Sequence, residues 1–453
     1  MILLKNCYHL VPGADSAGLS GVDLLIEGNI IRRIAKDIPV PSKDTRIIDA
    51  SRHVVIPGLV NTHHHYFQTL TRNLPAAQNA KLFDWLIYHY EIWKNLDEEG
   101  VYWSTALAAG ELLKTGCTLS SDHHYLYPRG LHGDIMAAQF AAAEKIGMRF
   151  SPTRGFMSLS KKDGGLPPDS IVQTEEVILK DSERVIKEFH DASPLSMRRI
   201  VLAPCSPFSV TEQAMRDTAA LARKHGVLLH THLAETEDEN AYCMEHYSGR
   251  RPLKLMEDCD FVGPDVWYAH GICFNDDELK VLKETSSQVC HCPASNMRLA
   301  SGICRVKEMK AMGINVSLGV DGSASNDSSD MLGELRNAML LQRVTKGADA
   351  LTARDVLKMG TENGACLLNF PSCGQLKEGM AADMALFDIF RMEYAGSHSD
   401  PLAALVFCGY HHGADYTIVN GKVAVEEGRL TGIDEDDLFR NAQAAAERLV
   451  KDV

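Results

Sequence analysis

Three consecutive histidines follow an apolar stretch of the chain. His63, His64 and His65 come directly after residues 54–60, which read Val-Val-Ile-Pro-Gly-Leu-Val. Side chains alternate between the two faces of an extended strand, so His63 and His65 point the same way and His64 points to the other face. Two neutral imidazoles on one face suit zinc or another transition metal better than calcium or magnesium. The spacing is typical of half a metal site, although a polar loop gives the same pattern.

Further groups that can bind a metal or move a proton lie at or just after the ends of other apolar runs. These groups are His230, His232, Glu235, His270 and Asp321. Taken singly, a histidine at a strand end is more often structural, and an aspartate before a glycine is more often a turn or a helix cap. Several such groups at one level of one domain would be costly if left unpaired. Their joint occurrence therefore predicts a metal site with acid and base groups beside it.

A repeated pattern of helix, glycine and apolar strand must position these groups. Ser209 with Glu212, and Asn275 with Glu278, have the spacing of capping boxes that open helices, and Gly226 is placed to end the first of them. Repetition of this unit predicts a parallel sheet with crossover helices, for which a closed (β/α)8 barrel is the economical form. Functional side chains of such a barrel lie at the carboxyl ends of its strands.

The two ends of the chain have a different sequence pattern, which predicts short strands joined by Asn-Gly or Gly-Asn turns. We therefore expect an α/β protein in which a TIM-type barrel of residues 58–370 carries a small composite β-sandwich. Residues 1–57 would form the first part of the sandwich, and residues 371–453 the second part with a terminal helix. The Gly- and Pro-rich residues 163–169 predict a long loop over the barrel mouth.

The composition of the chain narrows the range of possible binding partners. With 46 basic and 60 acidic residues the formal net charge is −14, which argues against nucleic acid or an anionic membrane as the partner. No apolar run approaches the length of a bilayer span, and we expect a cytoplasmic protein that acts on a small molecule. The 12 cysteines include no Cys-x-x-Cys pair, so we expect buried reduced thiols, Cys290 and Cys292 among them.

Several segments of the chain resemble the amidohydrolase superfamily, in its nucleobase and triazine deaminase branch. They are residues 57–65, 232–235, 270–271, 291–296, 319–322 and 379–383. The resemblance implies a hydrolytic deaminase with one divalent metal ion per subunit, zinc or alternatively iron(II), and a homodimer. The implied ligands are His63, His65, His232 and Asp321. Glu235 would be the proton shuttle, His270 would orient the attacking water, and Asp321 would also accept a proton.

Binuclear relatives carry a modified lysine at the end of the fourth barrel strand. The matching residues 202–206 read Leu-Ala-Pro-Cys-Ser and contain no lysine. One metal is therefore expected. His230 should lie one layer deeper than His232, in a supporting or core role, and a non-catalytic metal-binding scaffold is the alternative from outside enzymes.

Candidate substrate-binding residues are chosen for their chemistry. They are Gln68, Trp85, His123, Arg154 and Ser206. Gln can pair with an amide edge, Arg can meet an exocyclic oxygen and Trp can cover a flat ring, although each residue also has a plain packing role. Residues 61–72, 121–128, 203–210 and 296–302 narrow the resemblance toward enzymes that convert 8-oxoguanine to urate and ammonia. Hydroxytriazines, guanine and isocytosine are the alternative substrates.

Overall fold

The computed structural model describes residues 1–408 and 413–451. Six strands precede the barrel: β1 Ile2–Cys7, β2 His9–Leu10, β3 Val22–Glu27, β4 Ile30–Ala35, β5 Arg46–Asp49 and β6 His53–Pro57. The barrel strands are β7 Leu59–Asn61, β8 Cys117–Asp122, β9 Arg149–Phe156, β10 Val201–Pro204, β11 Leu228–Leu233, β12 Val266–His270, β13 Gln288–His291 and β14 Val316–Leu318. The last strands are β15 Met384–Asp388, β16 Tyr416–Val419, β17 Lys422–Glu426 and β18 Arg429–Leu430.

Helices alternate with the barrel strands and continue beyond them. The first eight are α1 Leu82–Trp93, α2 Glu98–Lys114, α3 Ile135–Ile146, α4 Glu175–Phe189, α5 Glu212–His225, α6 Glu237–His246, α7 Pro252–Asp258 and α8 Asp276–Thr285. The others are α9 Pro293–Arg298, α10 Val306–Met312, α11 Ser323–Asn326, α12 Met331–Lys346, α13 Ala353–Lys358, α14 Gly364–Leu367, α15 Pro401–Cys408 and α16 Glu435–Leu449. Short 3-10 helices include Tyr66–Thr71 and Lys161–Asp163.

The eight central strands form one parallel sheet in the order β7 to β14. Two backbone hydrogen bonds join its first and last members: Thr62 N donates to Leu318 O at 3.0 Å, and Asp321 N donates to His63 O at 3.0 Å. The sheet is thereby closed into the predicted TIM-type barrel. These bonds also bring Asp321 beside His63, although the two residues lie at opposite ends of the barrel sequence.

Two further sheets confirm a composite β domain. One has the strand order β4-β3-β1-β5, and the other has the order β18-β17-β16-β15-β6-β2. In the second sheet β15 pairs antiparallel with β6, so Met384 lies opposite Pro57. The inner faces share one apolar cluster, with Leu4 and Leu24 packed among Val55 and Leu386. The boundaries at residues 57 and 370 remain predictions.

Local capping explains where the crossover helices begin. Asn275 and Glu278 form the expected capping box at the start of α8. The prediction for α5 was wrong by two residues, because the hydroxyl of Thr211, not of Ser209, accepts the N–H of Ala214 at 3.2 Å. The Ser209 hydroxyl instead donates to the carbonyl of Ser206 at 3.2 Å. Among residues 1–408 and 413–451, no helix is long and apolar enough to cross a bilayer.

Candidate metal centre and active site

Four buried side chains converge at the carboxyl end of the barrel. His63 Nε2 and His65 Nε2 each lie 3.3 Å from Asp321 Oδ1. His232 Nε2 lies 3.1 Å from His65 Nε2. All four residues are at most 9% exposed. The structure therefore brings together the four predicted ligands from β7, β11 and β14.

The outer ring nitrogens fix the tautomers of two of these imidazoles. His65 Nδ1 lies 2.8 Å from the carbonyl of His123, and His232 Nδ1 lies 2.7 Å from the carbonyl of Cys205. A carbonyl only accepts, so each Nδ1 carries the hydrogen and each Nε2 carries a lone pair. Burial lowers the pKa of His232 well below its ordinary value, which favours the neutral ring.

This donor set fits a divalent metal ion. His65 Nε2 and His232 Nε2 each carry a lone pair and lie only 3.1 Å apart, which is repulsive unless a cation binds both nitrogens. His63 Nε2 is also buried and forms no hydrogen bond. Three imidazole nitrogens and one carboxylate oxygen are ligands that zinc prefers. No lysine enters from the end of β10, where Cys205 follows Pro204.

Glu235, His270 and Asp321 form an acid–base group beside the imidazoles. His270 Nε2 lies 3.5 Å from Glu235 Oε2 and 4.0 Å from Asp321 Oδ2. The backbone has positive φ at His270 (73°) and Asp321 (61°), and at Ala234 (54°) just before Glu235. Such conformations cost free energy in non-glycine residues and cluster at functional sites. The chain bends at each strand end so that these three groups meet.

Burial keeps the carboxyl group of Glu235 protonated near neutral pH. Desolvation, followed by repulsion from Asp321, raises the pKa of Glu235 to about 8. Glu239 holds the backbone here, since it accepts the N–H groups of Ala234 at 3.0 Å and Glu235 at 2.8 Å. Glu235 can therefore donate a proton to a neighbouring base and take one back.

Residues after β13 support this group, and strand-end reasoning missed them. Ser295 donates to Asp321 Oδ2 at 2.6 Å, and Ser325 donates to the same oxygen at 3.3 Å. Asn296 Oδ1 accepts from His270 Nδ1 at 2.9 Å. Ser295 and Asn296 fall in the segments 291–296 and 296–302, which carry the family resemblance, whereas nothing in the sequence pointed to Ser325.

A cavity opens from the candidate metal centre. It is lined by His65, Gln68, Leu82, Trp85, Leu86, Tyr90, Tyr125, Cys205, Phe208, His232, Glu235, His270, Leu299, Asp321 and Ser325. Gln68 and Trp85 were predicted here, whereas Tyr90 was not. Among these lining residues there is no lysine or arginine, so the cavity suits a ligand without an anionic group.

Three polar atoms on the cavity residues are buried without a hydrogen-bond partner. They are Gln68 Oε1, Trp85 Nε1 and Tyr90 OH. Buried polar groups normally have partners, so these atoms call for a polar ligand. The indole N–H can only donate and the amide oxygen can only accept, while the phenol can do either. A flat ring with both N–H and C=O edges satisfies this combination.

The other three predicted substrate residues lie elsewhere. The prediction that Arg154 lines the substrate site is corrected, because its side chain extends toward α4. There Nε donates to Asp181 at 2.6 Å, and the guanidinium lies 3.7 Å from the Tyr127 ring centre. Ser206 is also corrected, since its hydroxyl lies 2.6 Å from that of Ser209 while the preceding Cys205 lines the cavity.

His123 is likewise outside the cavity lining. Its ring stacks on His232 with centroids 4.7 Å apart, and its carbonyl accepts from His65. It therefore contacts two of the four converging side chains. His64 faces away from the centre as predicted, with Nε2 3.0 Å from Ser329 Oγ. The loop of residues 163–169 packs beside the cavity wall, where Leu166 N donates to Phe208 O at 3.2 Å.

Comparison with known proteins gives a consistent result. A model described as the amidohydrolase family matches residues 54–424. The 8-oxoguanine deaminase of Pseudomonas aeruginosa is 45% identical over 439 residues, which cover 97% of this chain and 96% of that protein. A hydroxydechloroatrazine ethylaminohydrolase of Pseudomonas sp. is 36% identical over 99% of this chain and 95% of its own length. The zinc complex of atrazine chlorohydrolase TrzN from Arthrobacter aurescens superposes with a TM-score of 0.93 at 28% identity, covering 98% of this chain and 100% of that one.

Proposed function

Because this chain belongs to the amidohydrolase family, we propose that it is a metal-dependent hydrolase that deaminates an amino-substituted oxopurine, with 8-oxoguanine as the substrate. The products would be urate and ammonia, with one water consumed. The observation that carries the proposal is the meeting of four side chains that can bind a metal with Glu235, His270 and a cavity lined by no lysine or arginine. Identity of 45% to an 8-oxoguanine deaminase over nearly the whole chain supports the choice of substrate.

We propose one divalent ion per subunit, zinc or alternatively iron(II), held by His63, His65, His232 and Asp321. Bound there, the ion would act as a Lewis acid that lowers the pKa of water. The orientation of the three rings comes from hydrogen bonds on their far nitrogens, as is usual for metal-binding histidines.

The protein's own groups would handle the protons. Asp321 Oδ2 and His270 Nε2, 4.0 Å apart, can hold the attacking water between them and accept its proton. Glu235, protonated at neutral pH, can protonate the ring nitrogen next to the attacked carbon. That protonation draws electron density away from the carbon. The proton accepted from water by Asp321 or His270 can then pass to the leaving amine, and the carboxylate left on Glu235 can take up the proton of the new hydroxyl group as ammonia leaves.

Substrate recognition would use the three unpartnered atoms of the cavity. Gln68 Oε1 would accept a ring N–H, and Trp85 Nε1 would donate to an exocyclic oxygen or ring nitrogen. Tyr90 would pair with the remaining edge, while Leu82 and Leu299 would contact the ring faces. The absence of lysine and arginine from this lining disfavours a nucleotide.

The remaining parts of the proposal are a cytoplasmic location and a homodimer. The homodimer rests on the resemblance to related enzymes, whereas the location rests on the lack of a long apolar run in the sequence. Light scattering coupled to size-exclusion chromatography tests the dimer, because a species of one chain mass, 49.9 kDa, would contradict it.

Ammonia release from a panel of heterocycles tests the function. Metal-replete protein would be incubated with 8-oxoguanine, guanine, isocytosine and hydroxytriazines, and ammonia measured by a coupled assay. We expect the highest kcat/KM with 8-oxoguanine. A hydroxytriazine as the best substrate would shift the assignment to an aminohydrolase like the Pseudomonas sp. relative. No turnover of any panel member would favour a non-catalytic metal-binding scaffold.

A further inference from the structure

A buried histidine that is not among the proposed ligands forms a hydrogen-bonded chain with one of them. His230 Nε2 lies 2.8 Å from His63 Nδ1, and His230 Nδ1 lies 3.0 Å from the backbone carbonyl of Trp267. Both histidine side chains are completely buried. The carbonyl of Trp267 therefore connects through His230 to the far side of the His63 ring.

The direction of these two hydrogen bonds follows from the final acceptor, the carbonyl of Trp267. The carbonyl of Trp267 cannot donate, so His230 Nδ1 carries the hydrogen. In the neutral ring His230 Nε2 then has only a lone pair, and His63 Nδ1 must donate to it. The hydrogen of His63 is thereby held on Nδ1, and the lone pair on Nε2 faces Asp321 and the other imidazoles.

Packing fixes the His230 ring in this role. It stacks on the indole of Trp267 with centroids 4.2 Å apart and an interplanar angle of 13°. The indole Nε1 in turn donates to the carbonyl of Thr62 at 3.2 Å, directly before His63. The ring that orients His63 and the backbone that carries His63 are thus held by the same tryptophan.

We propose that His230 is a positioning residue that sets the tautomer of His63 and thereby the affinity for the metal. The inference rests on the proposed metal-dependent function, because it concerns one of the proposed ligands. His230 is not itself a metal ligand in this arrangement. Although His63, His123 and His230 offer nitrogens within 4.8 Å of one another, the lone pair of His230 Nε2 is used by His63.

Three variants separate this role from simple packing. His230→Phe keeps an aromatic ring on Trp267 but removes the acceptor for His63. His230→Gln retains an amide oxygen to accept from His63 and an N–H to donate to Trp267. His64→Phe is the matched control, since His64 is an equally buried histidine beside two ligands but bonds Ser329.

Zinc affinity, measured by competition with a chromophoric chelator on metal-free protein, is the primary measurement. We expect about 10- to 100-fold weaker binding for His230→Phe, the usual cost of losing such a partner. His230→Gln and His64→Phe should bind close to the wild type. The melting temperature of metal-free His230→Phe should be lower than that of the wild type, because the Trp267 carbonyl and the His63 Nδ1–H lose their partner, and its rise on adding zinc should also be smaller.

Wild-type zinc affinity in a folded His230→Phe would overturn the inference. Equal weakening in His230→Phe and His230→Gln would also overturn it, because the amide retains the hydrogen bonds. Binding of two zinc ions by the wild type, reduced to one in His230→Phe, would show that His230 is itself a ligand. A wild type that binds no divalent metal would instead contradict the proposed function.

Discussion

Replacement of Glu235 by glutamine removes the proposed proton donor while leaving the shape of the site. The side chain is 4% exposed, lies 3.5 Å from His270 Nε2 and has a pKa raised to about 8 by burial. Glutamine has the same length and one carbonyl oxygen, but it cannot exchange a proton. Glu235 is not one of the four groups assigned to the metal, so zinc content should not change.

The size of the effect follows from the role. General acid–base catalysis contributes about 10²- to 10⁴-fold to a rate. At roughly 1.4 kcal/mol for each tenfold change, Glu235→Gln should raise the barrier by about 3 to 5 kcal/mol. The loss should occur in kcat more than in KM, because the proton moves during the reaction and not during binding.

Steady-state ammonia release with 8-oxoguanine, together with zinc analysis of the same samples, measures both quantities. Glu237→Gln is the matched control, since Glu237 lies on the exposed side of α6 only two residues away. Turnover of a zinc-replete Glu235→Gln within a few-fold of the wild type would refute the assignment of Glu235 as the proton shuttle. Loss of zinc from the variant would show that Glu235 helps to bind the metal.

Three further predictions concern the surroundings of the site. Trp85→Phe removes a buried N–H donor, so KM for 8-oxoguanine should rise by about tenfold, with a smaller change in kcat. This rise is the kinetic equivalent of roughly 1 to 1.5 kcal/mol for one hydrogen bond. An unchanged KM would contradict contact between Trp85 and the substrate. Burial raises the pKa of Asp122 from 3.8 to about 7, so this group destabilises the fold progressively as pH rises from about 4 to 7. Asp122→Asn, with Gln139 able to turn its unpartnered Oε1 toward the new amide, should therefore show a flatter decline of melting temperature over that range; parallel profiles would contradict the shift. Ser295→Ala removes the shorter of two hydrogen bonds to Asp321 Oδ2, and kcat should fall roughly fivefold, for a bond worth about 1 kcal/mol, at unchanged zinc content; an unaltered kcat would remove Ser295 from the account.

The barrel, and the meeting of polar side chains at its carboxyl end, could be predicted from the sequence, because both follow from the alternation of side chains along a strand and from the common direction of the strands. Alternation along an extended segment predicted that His63 and His65 share a face and that His64 does not. Parallel strands end on the same side of a barrel, so Asp321 and His232 were expected beside them although they are distant in sequence. The division of these groups into metal ligands and acid–base groups came from the resemblance to the amidohydrolase superfamily.

The residues that line the cavity were harder to predict from the sequence, because they differ from core residues only in facing the cavity. Tyr90 lies on α1 among apolar neighbours, and nothing in its spacing distinguishes a cavity wall from a packed helix face. Arg154 was assigned by its chemistry alone, but the alternation of β9 places it on the side of α4. Ser206 was wrong by one position, since the chain after β10 turns Cys205 toward the cavity.

Supporting contacts were beyond the sequence for a different reason. The hydrogen bond between His230 and His63 joins residues 167 positions apart, and that between Ser295 and Asp321 joins helix α9 to the segment after β14. Their existence depends on ring orientation and loop path, which pattern and propensity do not encode. The sequence could place His230 one layer below His232 but could not show which ring it touches.

Anomalous diffraction from crystals of the purified protein, recorded on both sides of the zinc absorption edge, tests the central claim most directly. We expect one strong peak per chain, about 2.0 to 2.2 Å from His63 Nε2, His65 Nε2, His232 Nε2 and an oxygen of Asp321. An equivalent peak only at the iron edge would change the metal but keep the site. Crystals of active enzyme with no metal peak between these four side chains would contradict the account.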